Sequence, residues 1–370
     1  MTPFIDVLEV EGYKCFDQLR VPLGQLTLFT GLNGAGKSTA LQPLLLLAQA
    51  ARLRIWGTSG LAGELPLNGE LVKLGSAGDV IRVGQGARAT RFTIGAGSEV
   101  LSLDVSARAG DRALQVNGIL AAADTLGIIG RLERLTHLSA VRSGPLDAFP
   151  IPDRSTAHIA DVGVDGRFAS YWYHQLADTD VPLDRCFPQS SGTSFRRQID
   201  IWLDYLAPGA NANVQSVSVA SVLALQFRLS EAGEWRRPAN VGYGLTYAFP
   251  ILVALLAAQP GDVLVIDSPE AHLHPQAQSR MGRMLATFAA AGVQLLVETH
   301  SDHVLNGARL AVRDRIIDAE DLGLLFFAGA SSDSHGVTSP RLDRDGRIDE
   351  WPEGFFDQGD KDVSRLAGWD

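Results

Sequence analysis

A glycine-rich pattern between a strand-like run and an apolar run constrains this chain more than any other feature. Residues 31–39 read Gly-Leu-Asn-Gly-Ala-Gly-Lys-Ser-Thr, which matches the P-loop pattern. Its glycines allow a tight turn whose backbone amides point at phosphate oxygens, and the following helix adds its positive N-terminal end. We expect Lys37 to reach the β- and γ-phosphates and Ser38 to ligate Mg²⁺. The predicted nucleotide-contacting residues of the loop are Asn33, Gly34, Ala35, Gly36, Lys37, Ser38 and Thr39.

Composition sets broad limits on the class of protein. A chain of 370 residues with 46% hydrophobic content can bury a large core. Its net charge of −10 argues against a generally basic surface that coats nucleic acid, although a local basic groove stays open. Two cysteines, Cys15 and Cys186, are too few for a disulfide framework. With no signal-peptide pattern and no apolar stretch long enough to span a bilayer, we expect a soluble cytoplasmic protein without membrane association.

The first half of the chain reads as strands around the P-loop followed by a β-rich region. Apolar alternation predicts a strand pair at 5–10 and 19–29. A helix is predicted over 42–55, although Pro43 interrupts its start. Residues 57–118 read as an antiparallel meander, in which four β-branched runs predict strands: 71–74, 80–83, 91–94 and 100–103. Residues 119–136 read as helical.

The second half returns to an α/β pattern. Residues 161–206 predict a helical subdomain with a helix over 194–206, and 214–229 predicts one or two strands. Continuous apolar runs then predict buried parallel strands that alternate with helices. The predicted strands are 263–266, 293–297 and 322–327, and the predicted helices are 246–259, 275–290 and 302–312.

Polar residues follow two of the buried strands. Asp267 comes directly after one, at the sheet edge where such folds bind ligands, and its carboxylate could hold Mg²⁺ opposite Ser38. This is the Walker B position. Glu270, three residues later, is a candidate for orienting the attacking water, with a structural role as the alternative. His300 follows the next strand and is placed to sense a γ-phosphate, again with a structural role as the alternative.

Three further histidines and an acidic loop have ordinary explanations. His272, His274 and His303 lie close together in sequence without an accompanying cysteine, so loop packing is favoured over a zinc site. The run Asp-Arg-Asp-Gly at 343–346 superficially resembles a calcium loop but lacks its other ligands. An Asp-Gly turn in a hairpin explains it better.

A second glycine-containing turn, Asn-Val-Gly-Tyr-Gly-Leu-Thr at 240–246, directly precedes an apolar helix. Backbone amides and a hydroxyl at a helix N-terminus form an anion site. One phosphate group does not need two such loops from one chain, so we expect this turn to complete the nucleotide site of a second protomer. The alternative is a simple helix start with Thr246 as its N-cap.

Together these stretches resemble ABC-type ATPase heads of the SMC/RecF/OLD group, and more closely bacterial AAA-family ATPases that end in a small domain of unknown function. The resemblance covers nearly the whole chain, and its stretches Pro-Glu-Ala-His-Leu-His-Pro and Glu-Thr-His-Ser are specific. Besides the P-loop, the matching residues are 14–16, 67–75, 140–145, 162–166, 240–246, 269–275, 298–307 and 351–357. It implies an α/β fold: an ABC-type P-loop ATPase head with an N-terminal antiparallel β lobe, an inserted helical subdomain and a small C-terminal extension.

The resemblance also implies a mode of action. Two heads would pair head to tail around two molecules of ATP with Mg²⁺, and His300 would be the switch histidine. The signature loop acting in trans would be Gly242, Gly244 and Thr246. Lys14 and Phe16 match a segment expected near the base or ribose. Arg142 lies in a matching stretch to which no role is assigned.

Some residues depart from the family pattern. Ser268 stands where many relatives have glutamate directly after the Walker B aspartate, Tyr247 stands where glutamine is frequent, and Pro43 interrupts the first helix. These departures bear on the hydrolysis rate more than on nucleotide binding. The chain is therefore predicted to be an ATPase, with slow hydrolysis left open.

The predicted domain organisation is a head over 1–328, with a β-rich lobe at 57–118 and a helical insert at 153–212, followed by a small domain at 329–370. Too few residues follow Phe327 for the Toprim domain of OLD-type nucleases. We therefore expect a homodimer that regulates a separate effector such as a nuclease, in antiphage defence, and leave DNA binding open. The alternatives are a nucleotide-gated scaffold or sensor with little turnover, and a RecF-like DNA-repair ATPase.

Overall fold

The computed structural model describes residues 4–54, 63–82, 90–122, 126–153, 159–217, 220–331 and 334–369. The helices are α1 (Lys37–Arg52), α2 (Leu126–Glu133), α3 (Ala169–Leu176), α4 (Phe195–Leu206), α5 (Tyr243–Ala257), α6 (Pro275–Ala290), α7 (Asp302–Arg313) and α8 (Gln358–Ala367). The strands are β1 (Val7–Tyr13), β2 (Phe16–Pro22), β3 (Leu26–Gly31), β4 (Glu64–Pro66), β5 (Thr90–Ala96), β6 (Glu99–Ser106), β7 (Ala113–Ala122), β8 (Thr136–Leu138), β9 (Phe149–Pro150), β10 (Asn211–Val217), β11 (Val222–Arg228), β12 (Val263–Asp267), β13 (Gln294–Glu298), β14 (Leu322–Ser331) and β15 (Ser334–Thr338).

The central sheet has the order β15-β14-β3-β13-β12-β8, and all its strands are parallel except β15. Residues of β12 alternate between two cores. Val263 and Val265 pack with α1 and the N-terminal lobe, whereas Leu264 and Ile266 pack with the core of α5, α6 and α7. Because both faces are covered, every residue of the strand before its last is apolar. The predicted α/β class is confirmed.

The N-terminal lobe is a second sheet, antiparallel throughout, with the order β2-β1-β5-β6-β7-β4. Its inner face buries alternate residues of β1 and β5, among them Leu8, Val10, Phe92 and Ile94, in the same core as the leucines of α1. The predicted antiparallel lobe is confirmed. The run predicted as one strand over 19–29 is two strands, because β2 pairs in this lobe and β3 enters the central sheet.

The strand predicted at 71–74 is wrong. Asn68 and Gly75 exchange two hydrogen bonds, with distances of 2.7 and 3.0 Å, and close a loop between them. Leu71 and Leu74, within this loop, are buried. Lys73 makes only an isolated bridge with Asn68, so the apolar run reflects core packing rather than a strand.

Two other predictions in this region need correction. The strand predicted at 80–83 is only an isolated bridge between Ile81 and Tyr13, and residue 83 lies outside the described residues. In place of a helix over 119–136, β7 continues to Ala122 and α2 begins at Leu126. Pairing of β7 with β6 along its length explains why strand structure prevails over helical propensity there.

The predicted helix start at 42 is also late. Helix α1 begins at Lys37, directly after the P-loop, and contains Pro43 as a buried residue. Proline removes one intrahelical hydrogen bond, but dense burial of the surrounding leucines compensates for that loss. The loop and the helix therefore form one unit.

The helical subdomain consists of α3 and α4 and is joined by a small antiparallel sheet of the order β10-β11-β9. Trp202 of α4 is buried and packs against Phe288 of α6, with ring centroids 5.3 Å apart. The strands predicted within 214–229 are confirmed as β10 and β11, although β10 already begins at Asn211. The domain boundaries proposed from the sequence stay predictions.

The C-terminal residues fold back on the head. Phe355 is fully buried in the core and makes an edge contact with Phe326, at a centroid distance of 5.3 Å. The Asp-Gly turn at 343–346 forms as predicted, because the Asp343 carboxylate accepts from the Asp345 and Arg347 amides, both at 2.8 Å. No helix in the described ranges is long and apolar enough to cross a membrane.

Helices α6 and α7 cross at Gly282 and Gly307. This crossing positions the segment that follows β13. A Cβ added at Gly307 would overlap the Ser279 carbonyl oxygen. We expect Gly307→Ala to destabilise the protein by about 1–3 kcal/mol through overpacking, more than the roughly 1 kcal/mol that alanine gains in helix propensity. Urea unfolding would measure the change.

The matched control is Gly359→Ala in α8, where an added Cβ meets no atom within 4 Å. This change should leave stability unchanged or raise it. Equal destabilisation by the two changes would show that the α6–α7 crossing has no special packing constraint.

Candidate active site

Three strands of the central sheet end side by side, and the chemically important residues follow these ends. In the register of the sheet Asp267 lies beside Glu298, and Glu298 lies beside Phe29 of β3, two residues before Gly31. The carboxyl ends of parallel strands share one edge, which is where ligands bind in open α/β sheets. The P-loop, the Walker B aspartate and the segment around His300 thus meet at one edge.

The P-loop has the backbone that its glycines predict. Gly34 and Gly36 have φ values of 74° and 105°, in the left-handed region. Gly36 is also the N-cap of α1, and no side chain caps the helix. The first-turn amides of a helix have no intrahelical acceptor, so this end is open to an anion.

Lys37 is 4% exposed, and its ammonium donates to the carbonyl oxygens of Gly31 and Leu32 at 3.0 and 2.9 Å. The Glu298 carboxylate lies 3.9 Å away. Burial lowers the pKa of Lys37, while Glu298 and Asp267 oppose that shift. A buried cation held by its own loop is the donor that a triphosphate requires, so these residues fit ATP.

Asp267 is oriented by its neighbours. The Ser268 hydroxyl donates to Asp267 Oδ1 at 2.8 Å, and Ser268 itself has a φ of 48°. The Arg142 guanidinium donates to the carbonyl oxygens of Asp267 and Ser268 at 2.6 and 3.3 Å. The Asp267 carboxylate keeps a second oxygen, and with the exposed Ser38 it forms a donor set of the oxygen type that Mg²⁺ prefers.

Glu270 uses both of its carboxylate oxygens within the protein. One accepts from the Thr299 hydroxyl and the other from the His300 amide, both at 2.8 Å. Glu270 therefore connects the segment after β13 to the Walker B turn, which we define as residues 267–274 between β12 and α6. Burial and the nearby Lys37 lower the pKa of His300. The charges of Lys37 and Glu270 both act on His300, so these side chains lie near one another, and their catalytic roles stay predictions.

Glu298 was missed as a site residue in the sequence. It is the last residue of β13 and is 6% exposed. Burial, together with Asp267, raises the pKa of Glu298, and the nearby Ser38 hydroxyl and Lys37 oppose that shift. The available signal was a carboxylate ending an apolar strand, directly before the specific Thr-His-Ser stretch.

The second glycine turn lies at the start of α5. Gly242 is the N-cap, so the alternative in which Thr246 caps the helix is wrong. Thr246 lies in the first turn, is 5% exposed, and its hydroxyl has no hydrogen-bond partner among the described residues. Gly242 faces open space, because an added Cβ would meet nothing within 4 Å. Tyr243 is 53% exposed.

An aromatic cluster joins this turn to the Walker B turn. His272 packs against Tyr247 and Tyr243, with centroid distances of 4.6 and 5.3 Å. The Arg142 guanidinium lies over the Tyr247 ring at 5.6 Å. Backbone of the two turns also touches, because an added Cβ at Gly244 would come within 2.8 Å of the His272 carbonyl oxygen.

The remaining histidines have structural contacts. His274 is the N-cap of α6 and accepts from the Gln276 amide at 3.3 Å. His303 lies 3.8 Å from Asp302. Across the described ranges no group of three or more histidine, cysteine, aspartate or glutamate side chains is arranged to hold a metal ion.

Lys14 and Phe16 lie beside the P-loop in different ways. Phe16 is 1% exposed and packs beneath the loop, where an added Cβ at Gly36 would come within 2.7 Å of its ring. Phe16 therefore shapes the loop from below. Lys14 has a φ of 46° and lies over the Tyr13 ring at 5.9 Å. Its placement near a base or ribose stays a prediction.

Comparisons with known proteins agree with this architecture. A family model described as an AAA domain, putative AbiEii toxin, Type IV TA system, matches residues 145–306. A second model, a protein family of unknown function termed DUF3696, matches residues 317–366. No curated protein sequence matches the chain.

Solved SMC heads share the fold. A head bound to the C-winged helix domain of ScpA is 15% identical, with 92% of this chain and 99% of that chain covered and a TM-score of 0.52. A head with an extended coiled coil from Pyrococcus furiosus, bound to the C-terminal domain of ScpA, is 12% identical, with 99% and 100% covered and a TM-score of 0.53. At these identities the likeness shows the fold alone.

The fold and the P-loop edge are those of ABC-type, SMC-like P-loop heads. Residues 145–306 are similar to the AAA domain of the AbiEii description, and residues 317–366 are similar to the small DUF3696 domain. The resemblance drawn from the sequence is confirmed at this level.

The Arg142 guanidinium donates to two carbonyl oxygens of the Walker B turn, so its replacement should disturb the structure of the site. It is 5% exposed, and burial lowers its pKa to about 10. We expect Arg142→Leu to destabilise the protein by about 1–3 kcal/mol, because two carbonyl oxygens lose a charged donor. Arg142→Lys should recover only part of this, since one ammonium lacks the planar fork of a guanidinium. Urea unfolding would measure both.

Arg237→Lys serves as the control, because Arg237 is exposed and pairs with Asp147 at 3.4 Å on the surface. Its effect should stay within about 0.5 kcal/mol. Full recovery of stability by Arg142→Lys would contradict the proposed double contact.

Proposed function

We propose that this chain binds and hydrolyses ATP with Mg²⁺, that two copies pair head to tail around two nucleotides, and that pairing regulates a partner effector, a nuclease in cytoplasmic antiphage defence. The observation that carries the proposal is the P-loop. Its left-handed glycines, uncapped helix start and buried Lys37 form a site for a triphosphate.

Residues around the loop fit the rest of the cofactor. Ser38 and Asp267 would hold Mg²⁺, which when bound bridges phosphate oxygens and neutralises their charge. Lys37 would exchange its two carbonyl acceptors for phosphate oxygens. His300, one residue beyond Thr299 and tied to Glu270 through its amide, would lie on the γ-phosphate side.

Pairing of two copies is supported by the exposed turn at the start of α5. Gly242 faces open space, and the helix start has no side-chain cap, so its amides are available to an anion from outside the chain. The aromatic cluster of Tyr243, Tyr247 and His272 contacts the Walker B turn from the other side. A partner's nucleotide at this turn would therefore contact residues that pack against the Walker B turn of the same chain's own nucleotide site.

The effector is supported by what similar proteins do. Two solved heads with this fold are bound to domains of ScpA, a separate protein. The family model that matches residues 145–306 is described as a putative toxin of a Type IV TA system. A head that acts through a second protein is consistent with both observations.

One observation favours a second candidate, a nucleotide-gated sensor with little turnover. Ser268, directly after Asp267, is not acidic and uses its hydroxyl on the Asp267 carboxylate. A RecF-like DNA-repair ATPase would show ATP-dependent duplex binding, and the net charge of −10 counts against that reading. Measured turnover and duplex binding separate these candidates.

Removal of the buried ammonium tests nucleotide binding. We expect Lys37→Ala to weaken ATP binding at least about tenfold, the equivalent of one lost charged contact, as measured by titration calorimetry with ATP and Mg²⁺. Lys73→Ala, an exposed lysine, is the matched control and should bind as the wild type does. Equal binding by both variants would remove the basis of the proposal.

Pairing in trans is tested by a charge at Gly242. We expect Gly242→Glu to bind ATP as the wild type does, because the side chain points into open space. A carboxylate facing a partner's phosphates should abolish ATP-dependent dimerisation in light scattering, because like charges repel there.

Gly110→Glu is the control, since an added Cβ at Gly110 also meets no atom within 4 Å. It should dimerise normally. Normal dimerisation of Gly242→Glu would refute the trans arrangement while leaving nucleotide binding intact.

A further inference from the structure

Three carboxylates lie at the sheet edge that carries the P-loop lysine, and they differ in what their oxygens already contact. Asp267, Glu270 and Glu298 all exert charge effects on this region. Hydrolysis of a triphosphate needs a group that orients the attacking water. Ser268, in the position directly after Asp267, supplies no carboxylate. The contacts of the three groups indicate which of them is available.

Glu270 is committed to holding two loops together. Its carboxylate accepts from the Thr299 hydroxyl and from the His300 amide, both at 2.8 Å. A carboxylate that fixes two donors of its own protein is a positioning group. Its position on the turn after Asp267 made it the candidate in the sequence, but its hydrogen bonds point to support of the segment that carries His300.

Asp267 is also engaged. Ser268 Oγ donates to its Oδ1 at 2.8 Å, and its remaining oxygen would hold the Mg²⁺ proposed beside Ser38. An aspartate that holds the metal ion cannot at the same time hold the attacking water in line with the leaving group.

Glu298 is placed differently. It lies beside Asp267 in the strand register, 3.9 Å from Lys37 Nζ and near the Ser38 side chain. Lys37 and Ser38 are the two residues that would face the β- and γ-phosphates and the metal. Glu298 is 6% exposed, so few bulk waters compete for its oxygens. A triphosphate that drew Lys37 and Ser38 toward its phosphates would free the Glu298 carboxylate from these two side chains.

We propose that Glu298 is the carboxylate that orients the attacking water, in place of the acidic residue missing at Ser268. This inference rests on the proposed ATP hydrolysis. Water oxygen forms the new bond to the γ-phosphorus, and the bond from that phosphorus to the β,γ-bridging oxygen breaks. ADP leaves with the electron pair of that bond, and the water protons end on the inorganic phosphate as H₂PO₄⁻. Glu298 accepts a hydrogen bond from the water and aligns it for this attack.

The test compares Glu298→Gln with Glu270→Gln. A glutamine at 270 can still accept from the His300 amide and donate to the Thr299 hydroxyl, so the tether survives. We expect Glu298→Gln to lower kcat at least about 100-fold and Glu270→Gln to lower it less than about tenfold. ATP binding by calorimetry should be kept in both. Chromatography of the nucleotide extracted from the dimer should show trapped ATP in Glu298→Gln and ADP in the wild type.

Glu231→Gln, an exposed carboxylate, is the matched control and should turn over ATP like the wild type. Glu298→Asp, which keeps the charge at a shorter reach, should retain more turnover than Glu298→Gln, and it carries the comparison if the glutamine variant does not fold.

Several results would overturn the inference. Wild-type turnover in Glu298→Gln, an equal or larger loss in Glu270→Gln, or loss of ATP binding in Glu298→Gln would each do so, and none of them affects the proposed function. Absence of turnover in the wild type itself would instead remove the proposed hydrolysis, and this inference with it.

Discussion

A desolvated ammonium determines how this site is built. Lys37 is buried at the end of the P-loop, and a buried charge is costly unless partners surround it. Two carbonyl oxygens of its own loop and the Glu298 carboxylate provide those partners. They are weaker acceptors together than a triphosphate with its full charge. In the proposed function, the same burial that makes the lysine costly to hold would make the site selective for phosphate.

Support for that lysine comes from the parallel register of the central sheet. β3, β13 and β12 must end together for Gly31, Glu298 and Asp267 to meet, and apolar residues on both sheet faces fix that register. The turns beyond the strands are then held by polar contacts. Glu270 ties the Walker B turn to the segment after β13, and Arg142 holds its carbonyls from below. A shift of one turn is thereby passed to the others.

The sequence predicted those features that depend on local pattern. The P-loop and the buried strands followed from glycine spacing and from apolar runs, and the bounds of α6 were predicted correctly. Predictions failed where strand pairing decides the structure, as at residues 119–122, which read as helical but continue β7 in its pairing with β6. Leu71 and Leu74 read as a strand but are buried from a loop closed by Asn68. Burial and strand pairing leave similar apolar patterns in a sequence.

The candidate site shows the same division. Residues within the motifs were found, but Arg142 contacts carbonyls 125 and 126 positions away, and no local pattern reveals such a partner. Glu298 was overlooked because a glutamate at the end of a strand is ambiguous until its neighbours are known. Only the register that puts it beside Asp267 and near Lys37 gives it a chemical environment.

Ser268 shows why the water-orienting group can move to the neighbouring strand. Its backbone is left-handed, its amide donates to the Glu298 carbonyl at 2.8 Å, and its hydroxyl orients Asp267. An acidic side chain there would lose the short hydroxyl contact with the Asp267 carboxylate. The serine thus orients Asp267, the aspartate proposed to hold Mg²⁺, and contacts the strand end that carries Glu298. In the proposed mechanism, Glu298 supplies at the same sheet edge the carboxylate that Ser268 lacks. The backbone amide of Ser268 is hydrogen-bonded to the carbonyl oxygen of this same Glu298.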